Sequence, residues 1–130
     1  MNKRILLSGA VFGLLAVVFG AFGAHGLKGL LAADTLNSFE TGVKYQMYHS
    51  LVLLFLGSFD RISQDKKRLL YYLFLIGILL FSGSIYFLTI DELLGVDLRI
   101  IAFLTPIGGT LLIIAWILLG IRFFKLKNDN

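Results

Sequence analysis

Residues 41–59 read TGVKYQMYHSLVLLFLGSF, and whether this stretch crosses a membrane decides the fold. It begins with Lys44, Gln46 and His49 and ends as an uninterrupted apolar run. Residues 5–24, 69–90 and 100–121 are plainer, with 20, 22 and 22 residues against the ~20 that cross a ~30 Å hydrocarbon layer as helix. The apolar part of the doubtful stretch, residues 43–59, has only 17. Upstream, Asn37 and Glu40 have the spacing of a capping box, which predicts a helix starting near Ser38 and long enough to span.

Charge placement agrees with four spans. Lys3 and Arg4 precede the first run; Arg61, Lys66, Lys67 and Arg68 separate the second from the third; Arg122, Lys125 and Lys127 follow the fourth. The other two connections hold only Lys28, Lys44 and Arg99, among Asp34, Glu40, Asp91, Glu92 and Asp97. Basic residues stay on the cytoplasmic side, so both termini and residues 60–68 are expected there. With three spans, one basic cluster would have to be translocated.

The 130 residues are 58% hydrophobic and 15% charged, with mean hydropathy +0.87, whereas a soluble domain carries about a quarter charged residues. The net charge of +4 lies beside the apolar runs, the pattern of membrane anchoring rather than nucleic-acid binding. Absence of cysteine excludes disulfides and thiolate metal sites. Met1 to Arg4 followed by an apolar run imitates a secretory signal, with Ala21-Phe22-Gly23 as a cleavage site. The run is too long for that, and three more follow, so an uncleaved first helix is expected.

The expected fold is therefore an all-α integral membrane protein. It is one domain, 1–130, an antiparallel bundle of four transmembrane helices at about 5–25, 38–59, 69–90 and 99–124. Residues 26–41 are too apolar for a simple loop, and Leu27, Leu30, Leu31 and Leu36 predict a short interfacial segment. His25, Glu40 and Lys44 belong to the same interfacial zone, where Lys44 can snorkel outward or pair with Glu40.

In lipid, helices associate through close packing and hydrogen bonds rather than leucine burial. Gly9, Gly13, Ala16, Gly20 and Ala24 recur every three or four residues, a single small-residue face for helix packing. Its partner is either another helix of the chain or another copy. In the fourth helix Pro106 predicts a bend, since its ring clashes with the carbonyl of Ala102. Counting ~1.5 Å per residue from the inner edge places Gly20, Ser82, Ser84, Gln46 and Thr105 near ~20–22 Å, with His49 at ~16 Å. Small and polar residues of four helices thus share one level above an apolar inner half, a polar layer or an outward-facing pocket.

Tyr45 and His49 are four apart and share a face. An ionisable residue inside a membrane is by default a functional hypothesis. The alternative is a neutral imidazole bonded to Gln46, Ser82, Ser84 or Thr105 that locks the bundle, because buried polar groups are usually satisfied. His25 and His49 are the only histidines. They could ligate haem or a divalent metal, but His49 lies ~12–15 Å deeper than His25, so neither metal nor cofactor is expected. A hydrolase needs a nucleophile, a base and an orienting carboxylate. No acid lies at the depth of His49, no phosphate-binding glycine loop occurs, and no catalytic residues are assigned.

Four segments together, GAFGAHGL (20–27), TGVKYQMYHSLVLL (41–54), LFSGSIYFL (80–88) and LTPIGGTLLIIAW (104–116), resemble the bacterial domain-of-unknown-function 423 family. The resemblance covers nearly the whole chain. It implies a small inner-membrane protein of four helices, with eukaryotic mitochondrial relatives, and carries no biochemical activity. The matching positions are His25, Tyr45, Gln46, Tyr48, His49, Ser82, Gly83, Ser84, Tyr86, Thr105, Pro106 and Gly108. The expected role is structural or lipid-facing, supporting integrity of the bacterial plasma membrane. His49, Gln46, Tyr45, Ser82, Ser84, Tyr86 and Thr105 would form an outer pocket for a lipid or small amphipathic ligand. The alternative is an oligomeric transporter or channel for a small solute or ion, with His49 on its path. Membrane lipids and further copies of the chain are the expected partners.

Overall fold

The structure, a computed structural model, describes residues 1–127; residues 128–130 of the expected domain lie outside it. Among the described residues there is no strand. Four helices follow one another: α1 (Asn2–Leu27), α2 (Ala33–Ser58), α3 (Gln64–Leu94) and α4 (Leu104–Phe124). A 3-10 turn, Arg99–Phe103, leads directly into α4. By length and composition α1, α3 and the helical stretch Arg99–Phe124 can each cross a membrane. With 26 residues α2 has the length, but it is more polar.

The small-residue face of α1 packs on α2 of the same chain. A Cβ added at Gly9 would lie 3.0 Å from the Ser50 carbonyl oxygen and from Leu54, one at Gly13 3.2 Å from Ser50 Oγ, and one at Gly20 3.2 Å from Val43. Ala16 is buried between them and Ala24 half-buried beyond. Near its end α1 widens into a π-type turn, Phe19–Gly23. Phe39 fills the space that Gly23 leaves there.

Two sequence expectations change. First, α2 begins at Ala33, with Ala32 as a cap that has no side-chain bond, and Asn37 lies inside the helix, its carbonyl accepting from Thr41 Oγ1 at 3.0 Å. The capping box does not form because the chain has already reversed: Gly29, at φ +85°, turns it within 28–32. Second, the interfacial segment shrinks to that turn, since the rest of 26–41 is helix belonging to α1 or α2. Pro106, read from the sequence as a bend, is the third residue of α4 and follows closely on the 3-10 turn Arg99–Phe103. The winding changes from 3-10 to α at Leu104, two residues before it.

The basic connection also tightens, for Lys66, Lys67 and Arg68 form the first turns of α3. Lys67 is 0% exposed. Its Nζ donates to Asn2 Oδ1 at 3.0 Å and lies 4.0 Å from Asp60. At the other end Gly95 closes α3 in the left-handed conformation, φ +68°, as C-terminal glycines do.

Backbones approach closely between α1 and α2, α2 and α3, and α3 and α4. Side chains bridge the remaining neighbours: Ser8 and Tyr71 hydroxyls, 2.7 Å apart, join α1 to α3, and Phe55 and Phe59 meet Phe123 between α2 and α4. This leaves a groove on each flank. Ile5, Leu53, Leu56, Leu70, Phe74 and Leu119 fill the interior at the basic end.

Candidate functional site

The residues read from the sequence as one polar level are divided among helix junctions rather than gathered in one pocket. Gln46, 3% exposed, donates from Nε2 to the Phe12 carbonyl at 2.8 Å and accepts from Tyr86 Oη at 2.6 Å. One amide therefore ties α1, α2 and α3 together. Ser82 Oγ donates to the Gly42 carbonyl at 2.7 Å, joining α3 to α2 where Gly42 leaves room for Ile85 and Tyr86. Ser84 Oγ donates to its own helix at Phe81 O, 3.0 Å, so Thr105 Oγ1, 2.5 Å away, donates to Ser84 and joins α4 to α3. Among the described residues no buried side-chain nitrogen or oxygen lacks a partner.

His49, expected to bond Gln46, Ser82, Ser84 or Thr105, bonds none of them. Residues three apart on a helix differ by ~300°, so His49 faces α4 while Gln46 faces α1 and α3. Its Nε2 lies 3.0 Å from Trp116 Nε1 and its Nδ1 2.6 Å from the Tyr45 carbonyl. Indole N–H can only donate and a carbonyl can only accept. His49 is thereby held as the neutral tautomer with hydrogen on Nδ1. Phe74 packs against both rings, with centroids 5.9 Å from each.

Beside this pair lies the groove between α2 and α4, about 730 Å³, bounded by Tyr45, Tyr48, His49, Val52, Phe81 and Trp116. Tyr45 stacks on Phe81 with centroids 4.8 Å apart and planes at 21°. Both tyrosines are exposed, as is the outer part of Trp116. His49 and Trp116 are bonded to each other through their ring nitrogens, and Tyr45 and Tyr48 bring exposed phenol rings to an otherwise apolar wall.

Of the seven predicted pocket residues, Tyr45 and His49 line this groove, Tyr86 and Gln46 close the opposite flank, and Ser82, Ser84 and Thr105 lie in helix contacts. His25 is exposed in the last turn of α1. Glu40 and Lys44 line a small cavity with Gly20 and Ala24, and no ion pair joins them among the described residues. No cluster of three or more metal-ligating side chains occurs among the described residues either. Ser50 Oγ donates to Met47 O at 2.9 Å rather than to His49. Trp116 escaped the sequence reading, although it is the sole tryptophan and a buried indole N–H needs an acceptor.

Comparison with known proteins places this arrangement in a family. The model described as "Protein of unknown function (DUF423)" matches residues 19–109, which include Gln46, His49, Ser82, Ser84, Tyr86 and Thr105 but neither Phe12 nor Trp116. A UPF0382 membrane protein of Staphylococcus saprophyticus is 40% identical over 95% of this chain and 99% of its own length. One from Haemophilus influenzae is 40% identical over 98% and 99%, and the Bacillus subtilis protein YwdK is 39% identical over 95% and 98%. No solved structure matches. With a family model over most of the chain and relatives aligned nearly end to end, the chain belongs to the DUF423 family of membrane proteins.

Proposed function

We propose that this chain is a multi-pass plasma-membrane protein of four antiparallel spans, termini inside, that serves as a lipid-facing structural element and not as an enzyme. In this reading the groove between α2 and α4 holds an acyl chain or a small amphipathic molecule. The observation that carries it is the His49–Trp116 bond, which satisfies the buried imidazole and the indole N–H and leaves a wall of aromatic and aliphatic carbon along the groove. The membrane role of α2 is supported by where its polar residues point. Gln46, His49 and Ser50 are buried against neighbouring helices, whereas Leu51 and Phe55 are exposed, the reverse of a soluble helix. Tight packing of Leu, Ile and Phe at the basic end favours a scaffold over a conduit. Exposed Leu7, Leu14, Ile113 and Ile117 give α1 and α4 faces for lipid or for further copies in a homo-oligomer.

Trp116, being the sole tryptophan, reports on its own groove. Lipids brominated along the acyl chain should quench its fluorescence strongly in reconstituted protein. Native mass spectrometry from mild detergent should find retained lipid and more than one copy. Unquenched Trp116 together with lipid-free protein would refute the reading.

A further inference from the structure

The opposite flank carries a second groove of different chemistry. Between α1 and α3 a cavity of about 760 Å³ is edged by Lys3, Arg4 and Arg68 and walled by Leu7, Val11 and Leu75. Among the described residues no carboxylate lines it. Asp60, at the same end, faces Lys67 instead. Arg4 makes one long bond, 3.5 Å, to Tyr72 Oη, and Lys3 and Arg68 have no ion pair among the described residues. The seam continues past Phe12 into a smaller cavity bounded by Leu15, Leu79 and Gly83, where a Cβ added at Gly83 would meet nothing within 4 Å. From Arg4 to Leu15 α1 rises ~16 Å, about half of a ~30 Å hydrocarbon layer. Gln46 and Tyr86 close the seam beyond that point. A cationic mouth, an apolar trough one leaflet deep and a polar stop have the outline of one phospholipid.

We propose that the α1–α3 seam is a specific site for an anionic phospholipid of the inner leaflet, its phosphate held by Lys3, Arg4 and Arg68 and one acyl chain laid along the seam as far as Gly83. Basic recesses between helices on the cytoplasmic side recognise such headgroups by charge, with chain burial adding affinity. The site is separate from the Tyr45–Trp116 groove and shares with that reading only the membrane-embedded orientation.

The test uses the whole chain reconstituted in bilayers, with a reporter in the seam (Leu75→Trp in a Trp116→Phe background). Chain-brominated phosphatidylglycerol should quench the reporter in preference to chain-brominated phosphatidylcholine. A basic residue beside an anionic lipid surface contributes about fivefold in partitioning, so Arg68→Gln alone should lower the preference severalfold. Lys3→Gln/Arg4→Gln/Arg68→Gln should abolish it, while Arg122→Gln/Lys125→Gln on α4 should leave it. Excess inorganic phosphate should not displace the lipid. Should the triple variant fail to fold, competition of the two unbrominated lipids for the parent chain in native mass spectrometry decides the same point. Equal quenching by both headgroups, an equal loss from the α4 pair, or displacement by phosphate would overturn the proposal. Quenching of Trp116 in the parent chain reads the other groove independently.

Discussion

Gly108 packs directly against the main chain of α3, and its replacement by alanine gives the sharpest test of the packing. A methyl there would collide with the Phe81 amide nitrogen while lying 2.8 Å from the Leu80 carbonyl carbon and 2.9 Å from the Gly77 oxygen. Ordinary carbon contacts are ~3.5–4 Å, so relief requires main chain to move by roughly 1 Å. No side-chain rotation can provide it. Overpacking costs ~1–3 kcal/mol, and a main-chain obstacle puts Gly108→Ala at the upper end. The neighbouring Gly109→Ala is the control. Its methyl would meet Phe81 Cδ2 at 3.6 Å, an ordinary contact, and Gly83→Ala would meet nothing. All three substitutions share the same helix-propensity gain of ~1 kcal/mol, which cancels between variants. Gly108→Ala should therefore be ~2–3 kcal/mol less stable than Gly109→Ala in equilibrium unfolding from detergent micelles, followed by circular dichroism. Gly77→Ala meets only the Leu112 side chain at under 3 Å, so Leu112→Ala should rescue Gly77→Ala but not Gly108→Ala. Equal stability of the Gly108 and Gly109 variants would show that α3 and α4 do not cross at this point.

His49→Leu should cost ~1–3 kcal/mol by stranding the Trp116 N–H, and His49→Leu/Trp116→Phe should cost less than the two single changes added; strict additivity in a thermal double-mutant cycle would deny the bond. Asn2→Leu, which strips Lys67 of its closest acceptor, should destabilise by ~1.5–3 kcal/mol, with Asn2→Asp at least as stable as the parent in the same unfolding assay. Asp97 is held below the ordinary carboxylate range by its bidentate bond from Arg99. A lowered folded pKa contributes stability above the unfolded value and loses it as pH falls through the folded one. Arg99→Gln should return the Asp97 titration, followed by NMR, to its usual position. Single cysteines at Ser63 and Asp34 should differ in intact cells, the first shielded from an impermeant thiol reagent and the second labelled; labelling at Ser63 would reverse the threading.

Local chemistry determined much of this protein in advance. The lengths of residues 5–24, 69–90 and 100–121 predict three long apolar helices, and the spacing of Gly9, Gly13 and Ala16 predicts a close-packed face. These are properties of one helix, so they can be read along one chain. The tertiary structure decided which groups meet. It put α1 on α2 rather than on another copy, gave His49 to Trp116 instead of to the serines, and buried Lys67 beneath Asn2. It also split the polar level, because Gln46 and His49 point ~60° apart around α2 toward different neighbours. Depth counting fixes height along a helix but not rotation about its axis, and hydrogen bonds depend on both. The doubtful stretch 41–59 shows the same division. Its polar residues look misplaced in an apolar run until α1, α3 and α4 surround them: Gln46 and His49 Nε2 find their partners on those neighbours, while Ser50 and His49 Nδ1 bond carbonyls of their own helix.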